Sequence, residues 1–314
     1  MKTPILIGGK KVGKWRASFL LFKEAWRFLR ADKELLLVPL FSLFFSGILI
    51  GLLMLVTWLV FGADQFMSVS ENNLGVGEYF LMFGVYVCGA FSLALAQATI
   101  VHIVYVRAHG GNATLGAGIA RAFSNWYPLF IWALISSTVG MILRFISDRS
   151  ALVGKIVASL LGAAWSILTF FAVPVILIEQ EKPLAAVSAS ARLFKKTWGE
   201  TLVSNVTLGL AFMLAHILVL ASFVGLIILG ASTQNAFLLI GSIVGVIAWL
   251  IIATLVNSAL QGILKTLLYI YAAEKVVPEN FNRELLESML VRNGVINEGL
   301  VTPPALLSET NHTT

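Results

Sequence analysis

Residues 35–61 form an unbroken apolar run without one charged side chain, longer than the roughly 18 residues that mark a membrane-spanning helix. Five more runs follow at about 79–106, 127–146, 152–178, 200–230 and 236–271, each at or beyond the roughly 20 residues that cross a hydrocarbon layer. Apolar residues fill both parities of every run, as in Ile48 to Val60, which excludes an outer-membrane barrel. Soluble cores would alternate apolar with polar positions, and only 12% of the 314 residues are charged, against roughly a quarter in a soluble domain. The predicted fold is therefore all-α: a polytopic membrane protein with six transmembrane helices in three hairpins. The first run is too long, and follows too long a basic segment, to be a cleavable signal.

Orientation follows from Lys and Arg, which are retained on the cytoplasmic side near span ends. Segments 1–34, 107–126, 179–199 and 272–314 carry eighteen of these residues, while the opposite loops carry Arg144, Arg149 and Lys155. Both termini are expected in the cytoplasm, with the chain in the plasma or inner membrane. Residues 1–34 hold nine bases against Glu24, Asp32 and Glu34, which locates the formal charge of +6. That patch abuts the first span, so anionic headgroups of the inner leaflet are the nearer partner and nucleic acid is not expected. Cys88, the only cysteine, lies inside the second run, so no disulfide, Cys-based metal site or cofactor is expected.

Between hairpins an apolar stripe recurs at spacing +4, +3, +4: Trp15, Phe19, Phe22 and Trp26; Leu115, Ile119, Ala122 and Trp126; Val187, Ala191, Phe194 and Trp198. That spacing puts four side chains on one helix face. Such a helix lies in the membrane interface, with Trp15, Trp26, Trp126 and Trp198 as anchors. Lys10, Lys11, Lys14, Arg16, Lys23 and Arg27, and in the third copy Arg192, Lys195 and Lys196, are its headgroup candidates. The unit is an interfacial helix plus a transmembrane hairpin, repeated at about 12–106, 112–178 and 184–271 with registers offset by 100 and then 72 residues. An amphipathic helix at 279–293 completes a single membrane domain over 12–293, flanked by a flexible basic segment at 1–11 and a flexible tail at 294–314.

The run Ser188-Ala189-Ser190-Ala191-Arg192-Leu193-Phe194-Lys195-Lys196-Thr197-Trp198-Gly199, leading into span five, resembles a family of prokaryotic six-span membrane proteins known only as a domain of unknown function. In architecture the chain is also similar to the membrane domain attached to some glycerophosphodiester phosphodiesterases. No soluble phosphodiesterase barrel accompanies it here, so that activity is not implied.

Polar side chains at bilayer depth are the remaining candidates, because each needs a partner or a watery pocket. In span six Asn257, Gln261 and Lys265 follow at i, i+4 and i+8, with Thr254 and Ser258 beside them. Lys265 is the least diagnostic, since it can snorkel. Span five offers Asn205 and His216 on one face, and span two offers Gln97 and His102, which five residues turn about 140° apart. Interhelical hydrogen bonding is the plainer use of all of them. Pro174 is expected to kink span four and free a carbonyl. The pairs Gly47/Gly51 and Gly241/Gly245 read as helix packing.

No catalytic motif occurs and the four histidines are scattered, so an enzyme is not expected. The leading function class is a membrane-organising, lipid-interacting or accessory protein, with protein partners in the membrane also open. The alternative is a carrier for a small or amphiphilic solute, using a cytoplasm-facing pocket between spans two, five and six. The topology is directly testable: cysteines introduced at Ser70 and Thr233 should label from outside intact cells, and one at Ser308 should not. The opposite pattern would invert the orientation.

Overall fold

The computed structural model describes residues 5–7, 10–12, 23, 25–61, 76–149, 152–198 and 207–274. Apart from a short antiparallel pair, Ile5–Ile7 with Lys10–Val12, the described chain is helices joined by turns. A helical stretch at 25–31 and a 3-10 turn at Lys33–Leu36 lead into α1 (Leu37–Phe61). Then come α2 (Val76–Ala108), α3 (Leu115–Ser124), α4 (Trp126–Asp148), α5 (Val153–Leu168), α6 (Pro183–Trp198), α7 (Thr207–Ser232) and α8 (Ala236–Glu274).

Five segments are long and apolar enough to cross a membrane: Lys33–Val60, Tyr79–Ala108, Trp126–Asp148, Val153–Glu179 and Ala236–Glu274. They coincide with five of the expected runs. The described apolar part of the remaining run, His216–Ser232 in α7, is shorter. Large apolar side chains such as Phe44, Leu59, Phe80, Leu152 and Phe237 stand exposed along these helices, the reverse of a water-soluble surface. A hydrocarbon solvent explains them.

Helix α2 is the centre of the bundle, packing on α1, α3, α4 and α8, whereas α7 packs chiefly on α8. One apolar cluster gathers around Leu129, Trp132, Phe171 and Tyr269, and a second around Leu35, Ile100, Ile103 and Ile263. The connector α3 starts at a Thr114 cap, whose hydroxyl accepts from Ala117 N at 3.3 Å. It lies close on α2 at Gly118, where a Cβ would meet Ile103 Cγ1 at 2.8 Å. Helix α6 docks on the bundle by Ala186, Ala189, Ser190 and Phe194. Of its expected stripe, Val187 and Ala191 are half-buried beside that face.

Two sequence expectations are corrected. Gly47, Gly51 and Gly241 face open space and pack nothing; among those four glycines only Gly245 has a close neighbour, the ring of Phe223. Helix-helix contact needs a second helix opposite the small residues, and the outer faces of α1 and α8 have none there.

Span four does not simply kink at Pro174. It breaks a turn earlier, where α5 ends at Leu168, Thr169 donates its hydroxyl to Trp165 O at 2.7 Å, and Phe170 N reaches back only three residues to Ile167 O. The chain resumes at Ala172 and continues through a wide π turn at Val175–Glu179. Proline has no N–H and its ring crowds the carbonyl four residues back, here that of Phe170, so a straight helix cannot pass through this stretch. At the break the Phe171 amide donates to the Ser190 hydroxyl of α6 at 2.9 Å. Both residues are fully buried. Ser190→Ala should therefore cost about 1–3 kcal/mol by orphaning that amide. The exposed neighbour Ser188→Ala should stay within about 0.5 kcal/mol, both read from thermal unfolding in one detergent. Equal melting of the two variants would remove Ser190 from this role.

Candidate functional site

Helices α1, α2 and α8 leave a cavity of about 120 Å³ between them. Its polar wall is Ser42 from α1, Gln97 from α2, and Thr254, Ser258, Gln261 and Lys265 from α8. The α8 residues again follow the spacing +4, +3, +4, a single stripe along one helix face. Pro39, Leu43, Leu93, Ala96, Ile100, Leu255 and Gly262 complete the lining. Gly262 brings α8 close to α2, since a Cβ there would stand 2.9 Å from Ile100 Cγ2. Leu43 and Leu93 are each more than half exposed, so the cavity opens sideways through the apolar surface of the bundle.

Of the polar residues singled out in the sequence, Gln97 and Gln261 come together on this wall. Neither makes a hydrogen bond to another described residue, although each amide has two N–H donors and an acceptor oxygen. Asn257 is exposed and outside the lining. At 100° per residue it points about 70° from the centre of the α8 stripe, with Gln261 at the near edge. His102 is half-buried, turned from the cavity toward Arg121 of α3. His216 sits beside Trp249, ring centroids 5.6 Å apart, on the α7–α8 contact. Among the described residues α1, α2 and α8 line the cavity, while the described part of span five packs on α8. Asn205 lies outside the described residues.

Among the headgroup candidates Lys23, Arg27, Arg192 and Lys195 are exposed, and Arg192 Nη1 donates to Ser188 Oγ at 3.3 Å. Trp26 is half-buried with the Arg30 guanidinium 5.6 Å from its ring centroid, and Trp126 stands exposed against Tyr127. The side chains of Lys10, Lys11, Lys14, Arg16, Lys196, Trp15 and Trp198 lie outside the described residues, as does the expected helix at 279–293.

The residue that sequence reasoning undervalued is Lys265. It does not snorkel to an end of α8: half-buried, it lines the cavity with its Nζ 5.5 Å from the Phe170 ring centroid, at the span-four break. No carboxylate pairs with it among the described residues. Removing an ammonium from water costs several kcal/mol, and a desolvated cation–π contact returns about 2 kcal/mol. The ring therefore offsets only part of the cost. The signal was present in sequence as the twelve-residue stripe from Thr254 to Lys265, but the partner ring lies some ninety-five residues away in the chain.

A family match covers residues 76–277, well over half of the chain. The chain belongs to the family described as "Family of unknown function (DUF6159)". No curated protein and no solved structure matches it. The match takes in α2 through α8, and so two of the three cavity walls, and it begins after α1.

Within the family stretch the end of the bundle near Arg107 and Glu274 gathers most of the remaining polar contacts. Arg107 pairs with Asp32 at 2.7 Å and donates to Ala113 O at 2.9 Å, which fixes the turn between α2 and α3. Burial pushes the Asp32 carboxyl above the ordinary carboxylate range, and the Arg107 guanidinium offsets this in part. Tyr269 donates to Glu179 Oε1 at 2.7 Å, joining α8 to the π turn. Among the described residues no group of three or more His, Cys, Asp or Glu is placed to hold a metal ion.

His109 ties α2 to α8. Its Nδ1 meets Tyr105 O and its Nε2 meets Glu274 Oε2, each at 2.8 Å. The carbonyl first, and the carboxylate after it, raise the imidazole above its ordinary value of about 6.5. A raised histidine contributes stability that is fully present below the unfolded value and is lost as pH rises through the folded one. The His109–Glu274 clasp should therefore weaken between about pH 6.5 and mildly alkaline pH, by less than about 1 kcal/mol because both side chains are partly exposed. Thermal unfolding in detergent across that range should show the loss in the native protein and not in His109→Gln. Superimposable pH profiles would count against the clasp.

Proposed function

We propose that this protein is a lipid-interacting accessory protein of the plasma or inner membrane that holds an amphiphile in the cavity between α1, α2 and α8. In this reading α7 also crosses the membrane, as span five of six, both termini are cytoplasmic, and the three hairpins are repeats of one unit. The offset of 164 residues that relates Gln97 to Gln261 also relates Tyr105 to Tyr269, and both pairs lie at matching depths of α2 and α8, which supports duplication.

The observation that carries the proposal is a cavity lined by exposed leucines and by two amides, half-buried Gln97 and exposed Gln261, that make no hydrogen bond to a described residue. Its volume of about 120 Å³ is below the roughly 150 Å³ of an engineered cavity that holds one benzene. A whole acyl chain does not fit. A compact head group does, with its tail lying outside along Leu43 and Leu93, as a molecule arriving sideways from the bilayer would present it. A space of this size favours holding a ligand over passing a solute through.

Native mass spectrometry of the gently extracted protein should show a retained lipid-sized adduct. Leu93→Trp, at the exposed rim, should leave thermal unfolding unchanged and reduce the adduct about tenfold. A protein that carries no adduct, or a rim variant that keeps it in full, would overturn the reading.

A further inference from the structure

The ligand's charge is written into the same cavity. We infer that the head group it takes is anionic, a carboxylate or a phosphate, held by the ammonium of Lys265 and by the amides of Gln97 and Gln261. This rests on the amphiphile-binding reading and specifies the chemistry of its ligand.

Three observations carry it. Lys265 is half-buried on the cavity wall, and no carboxylate among the described residues neutralises it. The Phe170 ring covers one side of the ammonium at 5.5 Å, an arrangement that stabilises the charged form and leaves N–H donors for the cavity. Gln97 and Gln261 bring two N–H donors each to the same wall with no protein acceptor, so an oxyanion supplies what all three side chains lack. A neutral alcohol head would satisfy the amides and leave the ammonium unpaired in a poorly solvated site.

Position agrees with this chemistry. Lys265 lies nine residues before Glu274, so the ammonium sits about 14 Å along α8 from the polar end of the bundle. The cavity mouth at Leu43 and Leu93 faces the surface that hydrocarbon covers, so the ligand needs a tail compatible with lipid. A free inorganic anion has no such route.

The test uses the intact protein in nanodiscs of neutral phospholipid with three photoactivatable C16 probes of equal chain length: a fatty acid, a monoalkyl phosphate and the matching alcohol. The acid, the phosphate or both should label α2 or α8 peptides beside the cavity at least tenfold more than the alcohol. Which of them labels identifies the head group. Lys265→Met should abolish that preference and Lys265→Arg should keep most of it. Equal labelling by all three probes in the native protein would overturn the anionic head group while leaving amphiphile binding in place. No labelling by any probe would overturn both. Because the probe comparison is made on the unsubstituted chain, it decides the question even if the Lys265 variants fail to fold.

Discussion

Hydrocarbon offers a polypeptide no hydrogen-bond partner, so every backbone amide at bilayer depth must find one within the protein. The continuous helices of α1, α2, α4 and α8 meet that demand by themselves. Span four does not, and its exception organises much of the bundle. The Phe171 amide is satisfied by Ser190, which draws α6 into the core; the π turn beyond it presents Glu179 to Tyr269; and Phe170, exposed to the interior by the break, provides the ring that faces Lys265. A connector helix, a polar contact at the bundle end and the cation in the cavity thus all depend on one interruption of a helix.

What the sequence conveyed best was whatever the solvent imposes residue by residue. The expected run 127–146 and the observed Trp126–Asp148 differ by a residue or two, because a charged or polar residue near each end is enough to stop a span. Five of six runs were legible in this way. The glycine pairs failed because small residues only permit close approach, and whether a second helix arrives is decided by packing over the whole bundle. Gly118 and Gly262, which do receive a neighbour, carry no sequence pattern to distinguish them.

The candidate site was half legible. Helical periodicity found the α8 stripe and the depth correspondence between Gln97 and Gln261, both local or repeat-level signals. It missed that Asn257 falls outside the cavity, since successive positions four apart drift by about 40° and three of them cover more than one wall. It did not show that α1 supplies a wall, a matter of which helices touch, on which hydropathy is silent. Lys265 was discounted because isolated cations near span ends commonly reach the headgroups. Its ring partner follows Thr169 at a break that no residue pattern announces as strongly as Pro174 does.

The Phe171–Ser190 contact also bears on how the chain is made. Synthesis delivers residue 171 nineteen residues before Ser190, so this contact cannot form until α6 has followed span four. The contact is thus completed only when the connector folds back onto its own span, and its place in the order of assembly is set by the distance in sequence between the two residues.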